Sequence, residues 1–216
     1  MTNVSISNRI SRFHDEKDNR VDLGGMVYAP LAFATAVLRV GFGYRPRQPM
    51  LSYRAAKEIT ALLTPDSRCV EFGSGLSTAW LAERCGFLLS VENDEGWHNR
   101  VSEMIKGPAF DHVRYELRDP ARFAKLDEHP DESFDFILVD GWDRHGCVLS
   151  LLPKIKPGGW VYLDNSDKDM TRPDGDLRRA EEELLRAVTA RNGSTRYFVD
   201  FSPTNFFVEQ GLLAQL

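Results

Sequence analysis

The chain has 216 residues, of which 42% are hydrophobic and 27% are charged, and its formal net charge is −5. This composition is typical of one globular domain that is large enough to bury a core. The sequence contains no long basic run, which argues against nucleic acid as a partner. Its three cysteines lack CxxC spacing, so they indicate neither a zinc site nor a disulfide framework but reduced thiols in a cytoplasmic protein.

Residues 1–49 form a predicted N-terminal arm. The start of the chain is polar and lacks the basic residues and apolar run of a signal peptide. The apolar run 26–38 is shorter than the roughly 20 residues of a transmembrane helix, and Pro30 and Arg39 interrupt any longer window. We expect a helix that packs on the main domain, covers its site or forms a homodimer interface. The alternative, favoured by nearby arginines, is contact with a membrane surface through residues 26–43.

From residue 50 onward, helix and strand patterns alternate. Periodicity predicts helices at 53–63, 77–84, 95–106, 144–155 and 176–191, and strands at 68–72, 87–91, 112–117, 134–139, 160–163, 195–201 and 205–209. This alternation predicts an α/β domain over residues 50–216, with a doubly wound sheet and helices on both faces. Because only Ser202, Pro203 and Thr204 separate the last two predicted strands, we expect an antiparallel hairpin at one edge.

The segment CVEFGSGLSTAW (69–80) places Glu71 directly before a turn that contains Gly73 and Gly75. A dinucleotide site would need GxGxxG, and the third glycine is missing. A carboxylate at the end of a strand attracts cations and repels phosphate. S-adenosylmethionine carries an ammonium and a sulfonium group and no phosphate, so this turn predicts a site for it. The alternative is a turn that only packs a helix against a strand.

Further polar residues follow the next two predicted strands. Glu92 lies 21 residues after Glu71, where a carboxylate can accept hydrogen bonds from both ribose hydroxyls. Asp119 ends the third strand and could accept a hydrogen bond from the adenine amino group. Trp97 could cover the adenine, but its helical spacing favours a place in the core.

Four blocks carry a resemblance to a known family: VEFGSGLST (70–78), SVEND (90–94), FDFILVDG (134–141) and LPKIKPGGWVYLDN (152–165). In this order they resemble class I S-adenosylmethionine-dependent methyltransferases, over roughly residues 50–210. The resemblance implies a Rossmann-like, seven-stranded sheet whose last strand is antiparallel. It also implies that the glycine turn and Glu71 line the methionine part of the cofactor. The predicted cofactor-binding residues are Glu71, Gly73, Ser74, Gly75, Ser77, Thr78, Glu92, Asn93, Asp119, Pro120 and Asp140.

Asp140, Asp164 and Asn165 follow the fourth and fifth strands, which are neighbours in this fold. Two carboxylates and an amide oxygen suit Mg²⁺ or another divalent cation. The pattern resembles the metal-dependent catechol and caffeoyl-CoA O-methyltransferases, and a bound cation would lower the pKa of a substrate hydroxyl. The alternative is that Asp140 and Asp164 bind substrate and backbone without an ion.

The predicted catalytic residues are Asp140, Arg144 and His145. The metal-dependent enzymes place a lysine three residues beyond the first metal ligand, and this chain has Asp143 there. His145 is therefore the predicted general base, since its unperturbed pKa lies near neutrality. Arg144 could hold a carboxylate or phosphate of the substrate. Alternatively, Asp143 and Arg144 cap a helix and His145 lies on the surface.

The sequence thus predicts a methyltransferase for a hydroxyl of a small molecule or sugar. A metal-free N-methyltransferase and a non-catalytic nucleoside-binding module are the alternatives. The polar segment 165–176 is expected to face the substrate, and the segment 45–52 is expected to cover the methyl donor.

Overall fold

The computed structural model describes residues 9–216 and is built around one mixed sheet of seven strands. The strands are β1 (Arg68–Phe72), β2 (Phe87–Glu92), β3 (Val113–Leu117), β4 (Phe134–Val139), β5 (Ile155–Leu163), β6 (Ser194–Phe201) and β7 (Val208–Gln215). Their order is β3-β2-β1-β4-β5-β7-β6. The first five are parallel to their neighbours, and β7 runs antiparallel to both β5 and β6. This confirms the predicted Rossmann-like sheet with an antiparallel last strand.

Helices cover both faces of the sheet, as predicted. They are α1 (Leu23–Met26), α2 (Ala29–Phe42), α3 (Tyr53–Leu62), α4 (Leu76–Ala82), α5 (Glu95–Met104), α6 (Arg144–Leu151) and α7 (Asp176–Ala190). Successive side chains of a strand point to opposite faces. Accordingly, Ile137 and Val139 of β4 belong to a core with α6 and α7, whereas Phe136 and Leu138 belong to a core with α3 and α4.

The carboxyl ends of the central strands lie side by side. The amide of Asp140 donates a hydrogen bond to the carbonyl of Phe72 (2.9 Å), and the amide of Asp164 donates to the carbonyl of Val139 (3.0 Å). The strand order reverses between β1 and β4, and ligands of such sheets bind beside this switch point. The residues that follow β1, β4 and β5 are therefore placed at one candidate site.

The last strand differs from its predicted bounds of 205–209. It begins at Val208 and continues to Gln215, so the preceding loop spans 202–207 instead of three residues. Gly211 interrupts the apolar pattern of this strand, but its role is packing, because a Cβ atom there would lie 1.9 Å from the hydroxyl oxygen of Tyr162. The glycine lets β7 pass the Tyr162 ring without ending the strand.

The described part of the N-terminal arm packs along the edge formed by β6 and β7. The amide of Val208 donates to the carbonyl of Arg12 (3.0 Å), and Ala32 of α2 packs with Phe201 and Val208. The single predicted helix over 26–38 is in fact two helices, α1 and α2. A domain boundary at residue 49 stays a prediction, and residues 1–8 of the arm lie outside the described part. No helix within 9–216 is long and apolar enough to cross a bilayer.

Candidate active site

A cavity of about 400 Å³ opens at the carboxyl ends of β1, β4 and β5. Its walls come from the glycine turn, α5, the ends of β4 and β5, the start of β7 and the segment before α3. The lining residues are Arg45, Met50, Leu51, Ser74, Gly75, Leu76, Ser77, Trp97, Arg100, Met104, Asp140, Asp164, Asn165, Asn205 and Glu209. This set includes part of the predicted segment 45–52 and six of the predicted site residues at the turn and at the strand ends.

The turn between β1 and α4 depends on two glycines that meet. Gly73 has a φ of +92°, and a Cβ atom there would lie 2.6 Å from the Cα of Gly141. An L side chain at Gly73 would be strained by this φ and would push apart the turn and the end of β4. Gly73 therefore lies beneath the cavity floor, whereas Ser74 and Gly75 form part of its wall.

Glu71 lies behind this turn and not in the cavity wall. Its side chain is fully buried, and its Oε2 accepts hydrogen bonds from the hydroxyls of Thr78 and Ser90, both at 2.6 Å. Burial raises the pKa of Glu71 to about 7, and the hydrogen bonds from neighbouring hydroxyls oppose this rise. Its other oxygen, Oε1, is buried and accepts no well-formed hydrogen bond from the described residues, but the Ser77 hydroxyl lies close enough to lower the pKa of the carboxyl group. When ionised, a carboxyl group directly behind the glycine turn places negative charge close to a ligand that the turn holds.

Ser74 joins the turn to β2, β3 and α5. Its amide and hydroxyl donate to Oε2 of Glu92 at 3.1 and 2.8 Å, and its hydroxyl lies 2.7 Å from that of Tyr115. The indole N–H of Trp97 donates to the carbonyl of Ser74 at 2.6 Å. Trp97 is therefore part of the cavity wall, contrary to its interpretation as a core residue. The other oxygen of Glu92 accepts the amide of Asn93 at 2.8 Å, so this carboxylate holds the turn in place.

Asp119 and Pro120 lie on the surface, outside the cavity wall. The Oδ1 of Asp119 accepts hydrogen bonds from the amides of Ala121 (2.9 Å) and Arg122 (3.1 Å), which makes it the first residue of a capped turn. This local role accounts for an aspartate after β3. Its predicted contact with adenine stays a prediction.

The three predicted metal ligands do come together in the cavity wall, and a fourth oxygen ligand joins them. Asp140, Asp164 and Asn165 lie at the ends of β4 and β5, and Glu209 lies at the start of β7. The side-chain amide of Asn165 donates to Glu209 at 3.2 Å. Glu209 was missed in the sequence because the strand that carries it was misplaced. The pairing of antiparallel β7 with β5 could have revealed it, since this pairing puts the start of β7 beside the end of β5.

Arg144 lies among these oxygen atoms. Its guanidinium donates to Oδ1 of Asp140 (2.8 Å), to the main-chain carbonyl of Asp164, and at 3.5 Å to Oδ1 of Asn165. Its Nε also donates to the carbonyl of Gly141 (3.2 Å). The side chain of Arg144 is only 12% exposed, so its positive charge is held in place. It crosslinks the ends of β4 and β5 from behind the cavity wall.

The set as it stands does not fit a divalent ion. Arg144 already contacts two of the three predicted ligands and the main chain of the third. Within residues 9–216, no group of three or more histidine, cysteine, aspartate or glutamate side chains is arranged to hold a metal. A cation bound between Asp140 and Asn165 would have to lie beside a fixed guanidinium charge.

The carboxyl groups of the cavity wall have raised pKa values. Burial raises the pKa of Asp164 well above its ordinary value, and the negative charges of Asp140 and Glu209 raise it further, while Arg144 opposes the rise. Burial likewise raises the pKa values of Asp140 and Glu209. Carboxyl groups of this kind can exchange a proton closer to neutral pH than isolated ones.

His145 is not brought to the cavity. It lies half-buried in the first turn of α6, and its amide donates to Oδ1 of Asp176 at 3.0 Å. Asp143 caps the same helix by accepting the amide of Gly146 at 3.1 Å. This agrees with the alternative in which these residues start a helix. The role of His145 as general base stays a prediction, and the carboxyl side chains that line the cavity are those of Asp140, Asp164 and Glu209.

No protein-family model matches the sequence, and no curated protein matches it. Solved structures do match. An O-methyltransferase from Bacillus cereus in complex with S-adenosylhomocysteine has a TM-score of 0.65 at 17% identity, over 89% of this chain and 96% of that one. A putative O-methyltransferase from Klebsiella pneumoniae has a TM-score of 0.59 at 18% identity, over 87% and 89%. An rRNA methylase from Streptococcus thermophilus has a TM-score of 0.55 at 14% identity, over 76% and 93%.

At identities this low, the likeness shows the fold. The seven-stranded sheet with its antiparallel β7, the glycine turn after β1 and the cavity at the switch point agree with it. This chain has the Rossmann-like fold of the class I S-adenosylmethionine-dependent methyltransferases.

Proposed function

We propose that the chain is an S-adenosylmethionine-dependent methyltransferase that acts on a hydroxyl group of a small molecule or sugar. The observation that carries the proposal is the cavity of about 400 Å³, which has the glycine turn on one side and three carboxyl groups on the other. A volume of this order suits a small-molecule site. The two sides have the two properties that methyl transfer needs, a place for a cationic donor and a group that can take a proton.

The residues at the turn fit the proposed donor. The buried carboxyl group of Glu71 behind the turn favours a positive charge nearby when it is ionised, and Gly75 has no close neighbour beyond Ser77 where a Cβ atom would point. Ser74, Gly75 and Ser77 would hold the methionine part, and Trp97 would cover the nucleoside. Glu92 would help to position the ribose indirectly, because it holds the glycine turn in place. When bound, S-adenosylmethionine supplies an electrophilic methyl group on a sulfonium.

The three carboxyl groups in the cavity wall support an oxygen atom as the methyl acceptor. An alcohol is a weak nucleophile, and its proton must leave as the new bond forms. Asp164 and Glu209 both line the cavity, and burial raises the pKa of each. Either carboxylate could accept the proton of a hydroxyl held near it. Asp140 would position the hydroxyl, since Arg144 fixes one of its oxygens.

In this proposal, Arg144 takes the electrostatic role that the sequence pattern assigned to Mg²⁺. Its guanidinium balances part of the negative charge of Asp140 and Asp164 and keeps the two strand ends at a fixed separation. A fixed positive charge stabilises the ionised form of carboxyl groups beside it. Chelators should therefore leave the reaction unchanged.

A metal-free N-methyltransferase is the second candidate, and the charge of the cavity favours it. Asp140, Asp164 and Glu209 lie together on one side of the cavity and would attract an ammonium group there, although Arg45 and Arg100 also line the cavity and Arg144 lies behind its wall. The two candidates differ in pH dependence. An amine must lose its proton before it attacks, so its rate would continue to rise well above pH 7.

The first experiment is calorimetric titration of the wild-type protein with S-adenosylhomocysteine, with Mg²⁺ and with EDTA. We expect a dissociation constant in the micromolar range that is the same in both. The variant Trp97→Ala should bind at least tenfold more weakly, because it loses a wall of the cavity and the bond to Ser74. Trp142→Ala is the matched control, since Trp142 is 58% exposed and outside the cavity.

Absence of binding by the wild type would refute the proposed donor. A separate Mg²⁺ heat that disappears in Asp164→Ala would refute the metal-free part and restore the predicted metal site. Incubation with radiolabelled S-adenosylmethionine and sets of simple alcohols, sugars and amines would then separate the two acceptor classes.

A further inference from the structure

The outer side of α2 is apolar and exposed to an unusual degree. Of this 14-residue helix, only Ala32 and Thr35 are buried against the domain. Val40 and Phe42 are 86% and 80% exposed, and Phe33 is 55% exposed. Phe33, Val37 and Val40 recur at helical spacing on one side of α2 and line one shallow groove, whereas Phe42 lies at the end of the helix on another side. Exposed apolar side chains grouped in this way mark an interaction surface.

The charge of the surrounding segment is one-sided. Between residues 23 and 57 the chain has no aspartate or glutamate but four arginines and one lysine, although the whole chain has a net charge of −5. Arg45 and Arg47 directly follow α2 and are both exposed. An apolar helix face with exposed arginines at its end is complementary to a bilayer that contains anionic lipids.

We propose that α2 and the segment that follows it dock on the surface of an anionic membrane. The helix would lie in the plane of the interface, with Phe33, Val37 and Val40 among the acyl chains and with Arg45 and Arg47 at the lipid phosphates. The 14 residues of α2 are too few to span a bilayer, which needs about 20. The buried face at Ala32 and Thr35 keeps the helix attached to the domain.

A second copy of the chain fits this surface less well. In a two-fold dimer the same patch faces itself. Arg45 and Arg47 would then face the segment 23–57 of the second copy, which offers no acidic side chain to pair with them and is itself basic. Like charges at such an interface oppose association.

Docking in this orientation would also place the cavity at the membrane. Arg45, Met50 and Leu51 belong to the segment after α2 and line the cavity. Its opening would therefore lie close to the lipid surface, within reach of an amphiphilic acceptor. The docking itself does not depend on the proposed reaction.

The test is sedimentation of the full chain with vesicles of phosphatidylcholine alone and of phosphatidylcholine with 30% phosphatidylglycerol. We expect binding to the anionic vesicles at least tenfold stronger than to the neutral ones. The double variant Val37→Gln/Val40→Gln should lower this binding at least tenfold, and Arg45→Gln/Arg47→Gln should remove the preference for anionic lipid. Leu149→Gln is the matched control, because Leu149 is 49% exposed on α6, away from this segment.

Sedimentation velocity in the absence of lipid completes the test. A wild-type dimer that Val37→Gln/Val40→Gln converts to a monomer would overturn the proposal in favour of self-association. Equal binding to both kinds of vesicle, or binding that Leu149→Gln lowers as much as the α2 variant does, would also overturn it. Circular dichroism of each variant separates loss of docking from loss of fold.

Discussion

The substitution Glu71→Gln gives the most direct test of the electrostatics behind the glycine turn. Burial raises the pKa of Glu71 from its ordinary 4.5 to about 7. At about 1.4 kcal/mol per pKa unit, the ionised form is therefore penalised by about 3 kcal/mol in the folded state. The pKa of Glu71 is higher in the folded state than in the unfolded state. The stability that the neutral Glu71 side chain contributes is therefore fully present below pH 4.5 and is lost as the pH rises through 7.

Glutamine has the shape of glutamate and does not ionise. Its oxygen can still accept the hydrogen bonds of Thr78 and Ser90, whereas its NH₂ group takes the position of Oε1. The cost of that buried donor does not depend on pH. The difference in unfolding free energy between wild type and variant should thus shift by about 2 kcal/mol in favour of the variant between pH 5.5 and 8.0.

Urea unfolding at the two pH values measures this shift. With a slope of about 2–3 kcal/mol per molar urea, it corresponds to about 0.7–1 M in the relative midpoints. Other buried carboxyl groups also titrate, so only the difference between wild type and variant is informative. Glu103→Gln controls for the lost charge, because the side chain of Glu103 is 68% exposed. If the unfolding free energies of wild type and Glu71→Gln differ by the same amount at both pH values, Glu71 is not a buried group with a raised pKa, and the reasoning is refuted.

Three further substitutions test other parts of the site. Arg144→Ala removes a charge held among buried oxygen atoms, so the free energy of unfolding should fall by about 2–3 kcal/mol. The variant should also bind Mn²⁺, which electron paramagnetic resonance would detect. Absence of Mn²⁺ binding would show that Arg144 is not what excludes a metal. Gly73→Ala should destabilise the fold by more than about 2 kcal/mol in thermal unfolding, since the φ of Gly73 is +92°. Gly41→Ala is the control and should not destabilise the fold, because there is open space around Gly41. Equal effects of the two substitutions would contradict the tight turn. Trp97→Phe keeps an aromatic ring in the cavity wall but loses the hydrogen bond to the Ser74 carbonyl. S-adenosylhomocysteine should therefore bind about five- to tenfold more weakly in calorimetry. Unchanged affinity would exclude a role for that hydrogen bond.

The sequence was most informative where strands are buried on both faces. The predicted strands 68–72 and 134–139 match β1 and β4 to the residue. Parallel strands in the middle of a sheet form continuous apolar runs, and the polar residue that follows marks their end. This is why Asp140 and the glycine turn could be placed at the cavity before the fold was known.

The sequence was least informative where side-chain direction decides the role. Arg144 and His145 are adjacent, yet one reaches the ends of β4 and β5 and the other stays outside the cavity. Adjacent helical residues point about 100° apart, so the orientation of α6 on the sheet determines which one approaches the site. Glu209 depended on the register of β7, which Gly211 obscured. Such features are set by tertiary packing and not by local pattern.

The distribution of charge around the cavity suggests how the proposed site would discriminate donor from product. Glu71 lies behind one wall, and Asp140, Asp164 and Glu209 lie in the other. Methyl transfer converts a sulfonium into a neutral thioether, so the donor carries one more positive charge than the product. An acidic cavity stabilises that charge by Coulomb attraction, and the attraction is lost once the methyl group has moved. The carboxyl groups on both sides of the donor would thus favour exchange of the product for a new donor molecule, without any change in the shape of the site. Arg45 and Arg100 in the wall and Arg144 behind it would reduce this preference.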